Sequence, residues 1–178
     1  MYLNDALFHA GLNSGSLYEW EDEPNRLHFY IIDVNESKDG ILSYKIGVRS
    51  LDGSGPQKRE FILAPPAVRK IKGTSGYVFF TVTNTGEPAA TDPSLHHQNT
   101  TRWLISDIFR LAVTCKSTGH SALLLNGIIS LEPGETEEVP VYVERSKKAS
   151  RSVKVTLTVQ SESDPSLTKS HSYTVKSR

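Results

Sequence analysis

The residues able to do chemistry are few and scattered. Asp33, Asn35, Ser37 and Asp39 recur at every second position before Gly40. Oxygens at alternate positions open a calcium loop, but that loop needs glycine at its sixth position and a carboxylate at its twelfth. Lys38 and Tyr44 stand there, so the run reads as a hairpin turn. The histidines are His9, His28, His96, His97, His120 and His171, and none belongs to a His-Glu-x-x-His pair. That spacing would set two imidazoles on one helical face over a zinc ion. Cys115 is the only cysteine, which excludes an internal disulfide and a cysteine-rich zinc site. No Gly-x-Ser-x-Gly elbow offers a nucleophilic serine, and Asp52-Gly-Ser-Gly runs into Pro56 rather than the Lys-Ser/Thr of a phosphate loop. These spacings predict no catalytic residue, no metal ligand and no cofactor.

Side chains suited to contact remain. Trp20, Trp103 and Tyr142 carry flat faces that could stack on sugar rings, although aromatic residues of β proteins more often fill the core. Arg145, Lys147, Lys148, Arg151 and Lys154 gather around one turn and could meet an anionic surface or an acidic partner; solvation of an exposed turn is the plainer account. Glu132, Glu135, Glu137 and Glu138 could screen that charge. The candidate contact residues are therefore Trp20, Trp103, Arg145, Lys147, Lys148 and Arg151. Two sequons, Asn35-Glu-Ser and Asn99-Thr-Thr, would matter in a secreted eukaryotic protein.

The elements that must carry these residues are strands. Twelve Gly and nine Pro punctuate short apolar runs. Leu27–Val34 and Ile41–Val48 form a hairpin around Ser37-Lys-Asp-Gly40, a strong turn signal, with a third strand expected at Arg59–Leu63. Residues 1–25 read as irregular, with Glu19 to Glu23 an acidic loop pinned by Trp20. Ala64-Pro-Pro-Ala67 is the expected domain break, giving 1–64 as a small β-rich segment and 65–178 as a sandwich.

Within 65–178 strands are expected at about 67–72, 77–84, 107–116, 121–125, 128–131, 139–144, 153–160 and a last run bearing His171, Tyr173 and Val175. Phe109, Leu111, Val113 and Cys115 share one face at a period of two. Ile105, Ile108 and Leu111 also recur three apart, but the longer alternation favours a strand. Pro140 cannot donate to a ladder, which predicts an edge strand. The fold expected is all-β: an immunoglobulin-like sandwich of about seven strands behind a small hairpin or meander subdomain. The net charge of zero argues against nucleic acid, and no apolar run is long enough for a membrane-spanning helix. Met1-Tyr-Leu-Asn-Asp has no signal-peptide character, and the abrupt start suggests a piece of a longer chain.

Four stretches in order carry a resemblance: Phe79-Phe-Thr-Val-Thr-Asn-Thr-Gly86, Asp107-Ile-Phe-Arg-Leu-Ala-Val-Thr114, Leu131-Glu-Pro-Gly-Glu-Thr136 with Val139-Pro-Val-Tyr-Val143, and Val153 through Ser166. Together they resemble the bacterial cell-adhesion-related, CARDB-like sandwich modules appended to secreted hydrolases. Ala6-Leu-Phe-His-Ala-Gly11 and Leu27-His-Phe-Tyr-Ile-Ile-Asp33 are similar to the region after the catalytic domain of immune-inhibitor-A-like metallopeptidases. None of that family's zinc-binding residues has a counterpart here. The resemblance implies a non-catalytic, extracellular accessory segment whose partner is the catalytic domain of the same parent chain. The alternative is a carbohydrate- or cell-surface-binding module that holds a glycan or cell-surface polymer.

Overall fold

Asp39-Gly40 turns the first hairpin as its sequence demands: Gly40 takes φ 77° and its N–H donates to the Ser37 carbonyl. A left-handed φ at this point suits glycine, which has no Cβ to clash. The computed structural model describes residues 19–67, 73–90, 92, 94 and 105–176, and every regular element among them is a strand. Two compact units divide between Pro56 and Gln57.

The first unit holds β1 (Glu19–Asp22), β2 (Leu27–Glu36) and β3 (Leu42–Ser50), antiparallel in that order. The expected acidic loop at Glu19 to Glu23 is therefore corrected over its first four residues: they form an edge strand. Glu19 pairs with Tyr30 and Trp20 with Phe29, so the charged residues alternate across the sheet rather than lying in solvent together. A register shift after Ile31 bulges β2. Paired residues share a face. Trp20, Phe29 and Val48 therefore lie on one face with Ile31, Ile46, Val34 and Tyr44. Glu19, Glu21, His28, Tyr30 and Arg49 lie on the other.

The second unit is a sandwich of two four-stranded sheets. One runs β4 (Phe61–Ala67), β5 (Ser75–Asn84), β9 (Thr136–Arg145), β7 (His120–Leu124); the other runs β11 (Thr168–Lys176), β10 (Ser152–Ser161), β6 (Asp107–Cys115), β8 (Ile128–Leu131). With β8 set aside, the other seven strands have the neighbours of a constant-type immunoglobulin domain, A-B-E-D against G-F-C. Alternation supplies the core: Val78, Phe80 and Val82 from β5 and Val141 from β9 meet Phe109 from β6 and Val155 and Leu157 from β10. Phe61 and Phe109 cross edge to face at 5.1 Å between ring centroids. Val113 and Cys115 pack at the margin of this core, as their shared face with Phe109 requires.

One expectation about proline is corrected, that for Pro140. The Arg59–Leu63 strand leads into β4 of the sandwich, and Ala64-Pro-Pro-Ala67 completes that strand. Pro65 and Pro66 are tolerated because β4 is an edge strand whose register shifts between Ala64 and Ala67, where ladder donors are dispensable. Pro140 is not on an edge strand: β9 lies between β5 and β7. The Arg145 N–H turns toward β5, reaching the Thr74 carbonyl, so by alternation residue 140 faces the β7 side. Pairing with β7 ends at Leu124–Val141, one residue short of it. The missing N–H therefore falls where there is nothing in the ladder to receive it.

Candidate functional site

The basic loop between β9 and β10 is held from within. The Arg145 guanidinium donates to the Ala149 carbonyl at 3.2 Å, the Ala149 N–H donates to the Ser146 carbonyl, and the Ser146 N–H donates to that of Gly119. Gly119 has φ 78°, and a Cβ there would meet Ser146 Oγ at 2.7 Å. Arg145 is thus a half-buried brace, while Lys147, Lys148 and Arg151 stand exposed. Beside it Thr74, His120, Val143, Arg145, Arg151 and Val153 line a shallow, solvent-open depression with room for about 10 Å³. That is about the space one water molecule needs, so the hollow is too small for an organic ligand.

The acidic cluster does not screen this loop. Glu138 is the nearest of its four members along β9, and at strand rise it lies roughly 23 Å from Arg145. That exceeds the Debye length of about 8 Å at physiological salt. One of the cluster has local work instead: a Glu135 carboxylate oxygen accepts the Glu132 N–H at 2.8 Å across the Pro133-Gly134 turn.

Trp20 lies on the first unit's sheet, 38% exposed and stacked on Phe29 at 5.2 Å between centroids. Trp103 lies outside the described residues, as does Asn99. Tyr142 meets Tyr77 edge to face at 5.4 Å on the β9–β5 pair. Asn35 stands exposed near the hairpin tip, its side-chain amide donating to Asp33. Of the Asp33–Asp39 run, Asp33 and Asn35 end β2, and Ser37 and Asp39 belong to the hairpin turn that their spacing suggested.

Sequence reading missed a group beneath that sheet. Glu19 is 1% exposed and His28 is 3% exposed. His28 Nε2 lies 3.2 Å from a Glu19 oxygen and Nδ1 lies 3.3 Å from a Glu21 oxygen, neither contact being aligned as a hydrogen bond. The imidazole stacks on Tyr30, whose hydroxyl accepts Arg49 Nε at 2.7 Å. The readable signal was Glu19-x-Glu21 set against His28-x-Tyr30 at a shared period of two. With each ring nitrogen facing a carboxylate, His28 has none left over for a metal. Among the described residues no three His, Cys, Asp or Glu side chains are grouped to hold an ion. These residues do not fit a zinc ion.

The sandwich has its own buried polar knots. Arg59 Nη1 reaches Asp107 at 3.1 Å, Ser161 Oγ donates to the same carboxylate at 2.8 Å, and Arg110 pairs with Glu162. Asn84, 2% exposed, donates to the Leu131 carbonyl and accepts the Gly86 N–H. Lys169 on β11 reaches both the Glu60 carboxylate and the Phe61 carbonyl, tying one sheet to the other. Hydrogen bonding from Lys169, and next from the Phe61 N–H, holds the Glu60 carboxyl below its ordinary pKa. Burial pushes the Cys115 thiol up, away from the reactive thiolate.

Comparison with known proteins accounts for nearly the whole chain. Residues 64–178 match a family described as "Peptidase M6-like domain", and residues 1–51 match one described as "middle domain". An Arthroderma benhamiae protein named "Putative secreted metallopeptidase" is 42% identical over 171 residues, covering 92% of this chain and 25% of that protein. The chain thus spans about a quarter of that relative's length. A crystal structure of a FixG-related protein from Vibrio parahaemolyticus aligns over 69% of this chain and 97% of that one, with 14% identity and a TM-score of 0.42. That likeness is too distant to bear on fold or function.

Proposed function

We propose a function from one premise: the chain belongs to the peptidase M6-like domain family. It is a non-catalytic accessory segment of a longer, secreted metallopeptidase, which it stabilises or positions. The observation that carries this reading is the 42% identity running through both units while reaching only a quarter of the relative. In this reading a catalytic zinc is held elsewhere in the parent polypeptide, whose catalytic domain is this segment's partner. That the sandwich is CARDB-like is part of the same proposal.

Immunodetection of the natural gene product in culture fluid tests it. A secreted species much larger than 19.7 kDa is expected. Removing the segment from that product should lower its melting temperature or its activity on insoluble protein. An intracellular 19.7 kDa product would refute the reading, as would unchanged secretion, melting and activity after deletion.

The half-exposed Trp20 ring favours a second reading, a module that binds glycan or a cell-surface polymer, with Lys147, Lys148 and Arg151 as a separate anionic contact. It predicts retention on insoluble polysaccharide that Trp20→Ala abolishes. Retention of neither protein would count against the class.

A further inference from the structure

The small sheet carries its faces in an unusual order. Glu19, His28, Tyr30 and Ile32 are each at most 6% exposed, so the buried face mixes polar and apolar groups. The apolar face is the open one: Trp20, Val34, Leu42, Tyr44, Ile46 and Val48 are 38 to 53% exposed. Register places Leu42 there too, since alternate residues of β3 share a face with Tyr44. Asp22, opposite Leu27, and Glu36, opposite Leu42, close this face at its two ends. An apolar centre with charges only at the rim is the anatomy of an interface.

We propose that this face of β1–β3 is the docking surface for the catalytic domain of the parent polypeptide. The inference rests on the accessory-segment reading and names the surface that would serve it. Two aromatic side chains of roughly 150–250 Å² and four smaller aliphatic ones, each about half exposed, offer on the order of 500 Å². That is at the upper end of the roughly 300–600 Å² of the largest apolar patch on a lone soluble protein, a patch that is often functional. Covered from both sides the face would bury about 1,000 Å², within the range of roughly 600–1,500 Å² for domains joined in one chain. A stable dimer of separate chains needs about 1,200–2,000 Å², which makes a second copy the poorer occupant. The relative's other three quarters supply the chain that could cover it. The matching surface should be apolar, with polar or basic groups at two ends to meet Asp22 and Glu36.

Oxidative footprinting of Trp20 and Tyr44 tests this, comparing the 178-residue chain with the full-length natural product. Both residues should be modified at least about fivefold more slowly in the full-length product. Equal rates in a larger product would overturn the docking surface and leave the accessory reading standing. A natural product of only 178 residues would overturn both. Slow modification already in the isolated chain would also overturn the proposal, giving the cover to the chain itself or to a second copy, which its mass in solution distinguishes. Ile46→Lys separates docking from folding. It should leave the melting temperature of the isolated chain unchanged, lower that of the full-length product, and let protease release the segment. Equal effects in both would sink the proposal.

Discussion

Asp107 carries more structural consequence than any residue singled out for contact. Its side chain is 3% exposed, with Arg59 and Ser161 on its oxygens and the Ile108 N–H on Oδ1. Breaking a buried ion pair from one side strands the other charge, at a cost of about 3–5 kcal/mol. Asp107→Ala should therefore lower the unfolding free energy by about 3 kcal/mol in denaturant titration. A loss below about 1 kcal/mol would show that Arg59 reaches solvent easily. Glu60 makes a pH-dependent contribution. Its folded pKa lies below its unfolded one, so the Lys169 contact contributes fully above an unfolded value near 4.3 and is lost as pH falls through the folded value. Glu60→Gln should melt below wild type by a constant margin above about pH 5, with the margin closing toward pH 3. A margin independent of pH across that window would assign the effect to packing. Glu60 is substantially exposed, so solvent screening keeps the margin small.

Elements were legible wherever alternation was clean. Val153, Val155, Leu157 and Val159 announced β10, and all four are buried. β1 was not legible, because Glu19-Trp20-Glu21-Asp22 contains a single apolar residue. What makes it a strand is pairing with His28 and Tyr30 on β2, a tertiary fact that local composition does not carry. Pro140 misled in the opposite direction. Proline argues against a central strand only where its missing N–H would have been used, and here β7 stops one residue early. Pro140→Val should therefore change stability by no more than about 0.5 kcal/mol, measured by thermal melting. A gain well beyond that would mean the new N–H finds a partner after all.

The whole molecule follows the same division. The sandwich was readable because its strands are long, alternating and separated by turn residues such as Pro133-Gly134. The conformation of Ala64-Pro-Pro-Ala67 was not, because two prolines suit either a linker or a bulged edge strand, and the pairing of β4 with β5 shows the second. Of the contact residues, the sequence identified Lys147, Lys148 and Arg151 as exposed charge, yet gave no sign that Arg145 is spent bracing its own loop. The His28 group was hidden for the reason β1 was.

The strand order also sets a timetable. β5 pairs with β9 from Thr83–Thr136 to Ser75–Glu144, and β6 pairs with β10 from Cys115–Val155 to Phe109–Ser161. Each central pairing waits for a strand made about 40 to 70 residues later, and non-local pairing of this kind slows closure. A ribosome adding about 5–20 residues per second would leave the Val78-Phe80-Val82 stripe without its β9 partner for several seconds. During that interval the nascent sandwich offers other chains a sticky ribbon, the kind of exposed apolar strand through which unfinished chains aggregate.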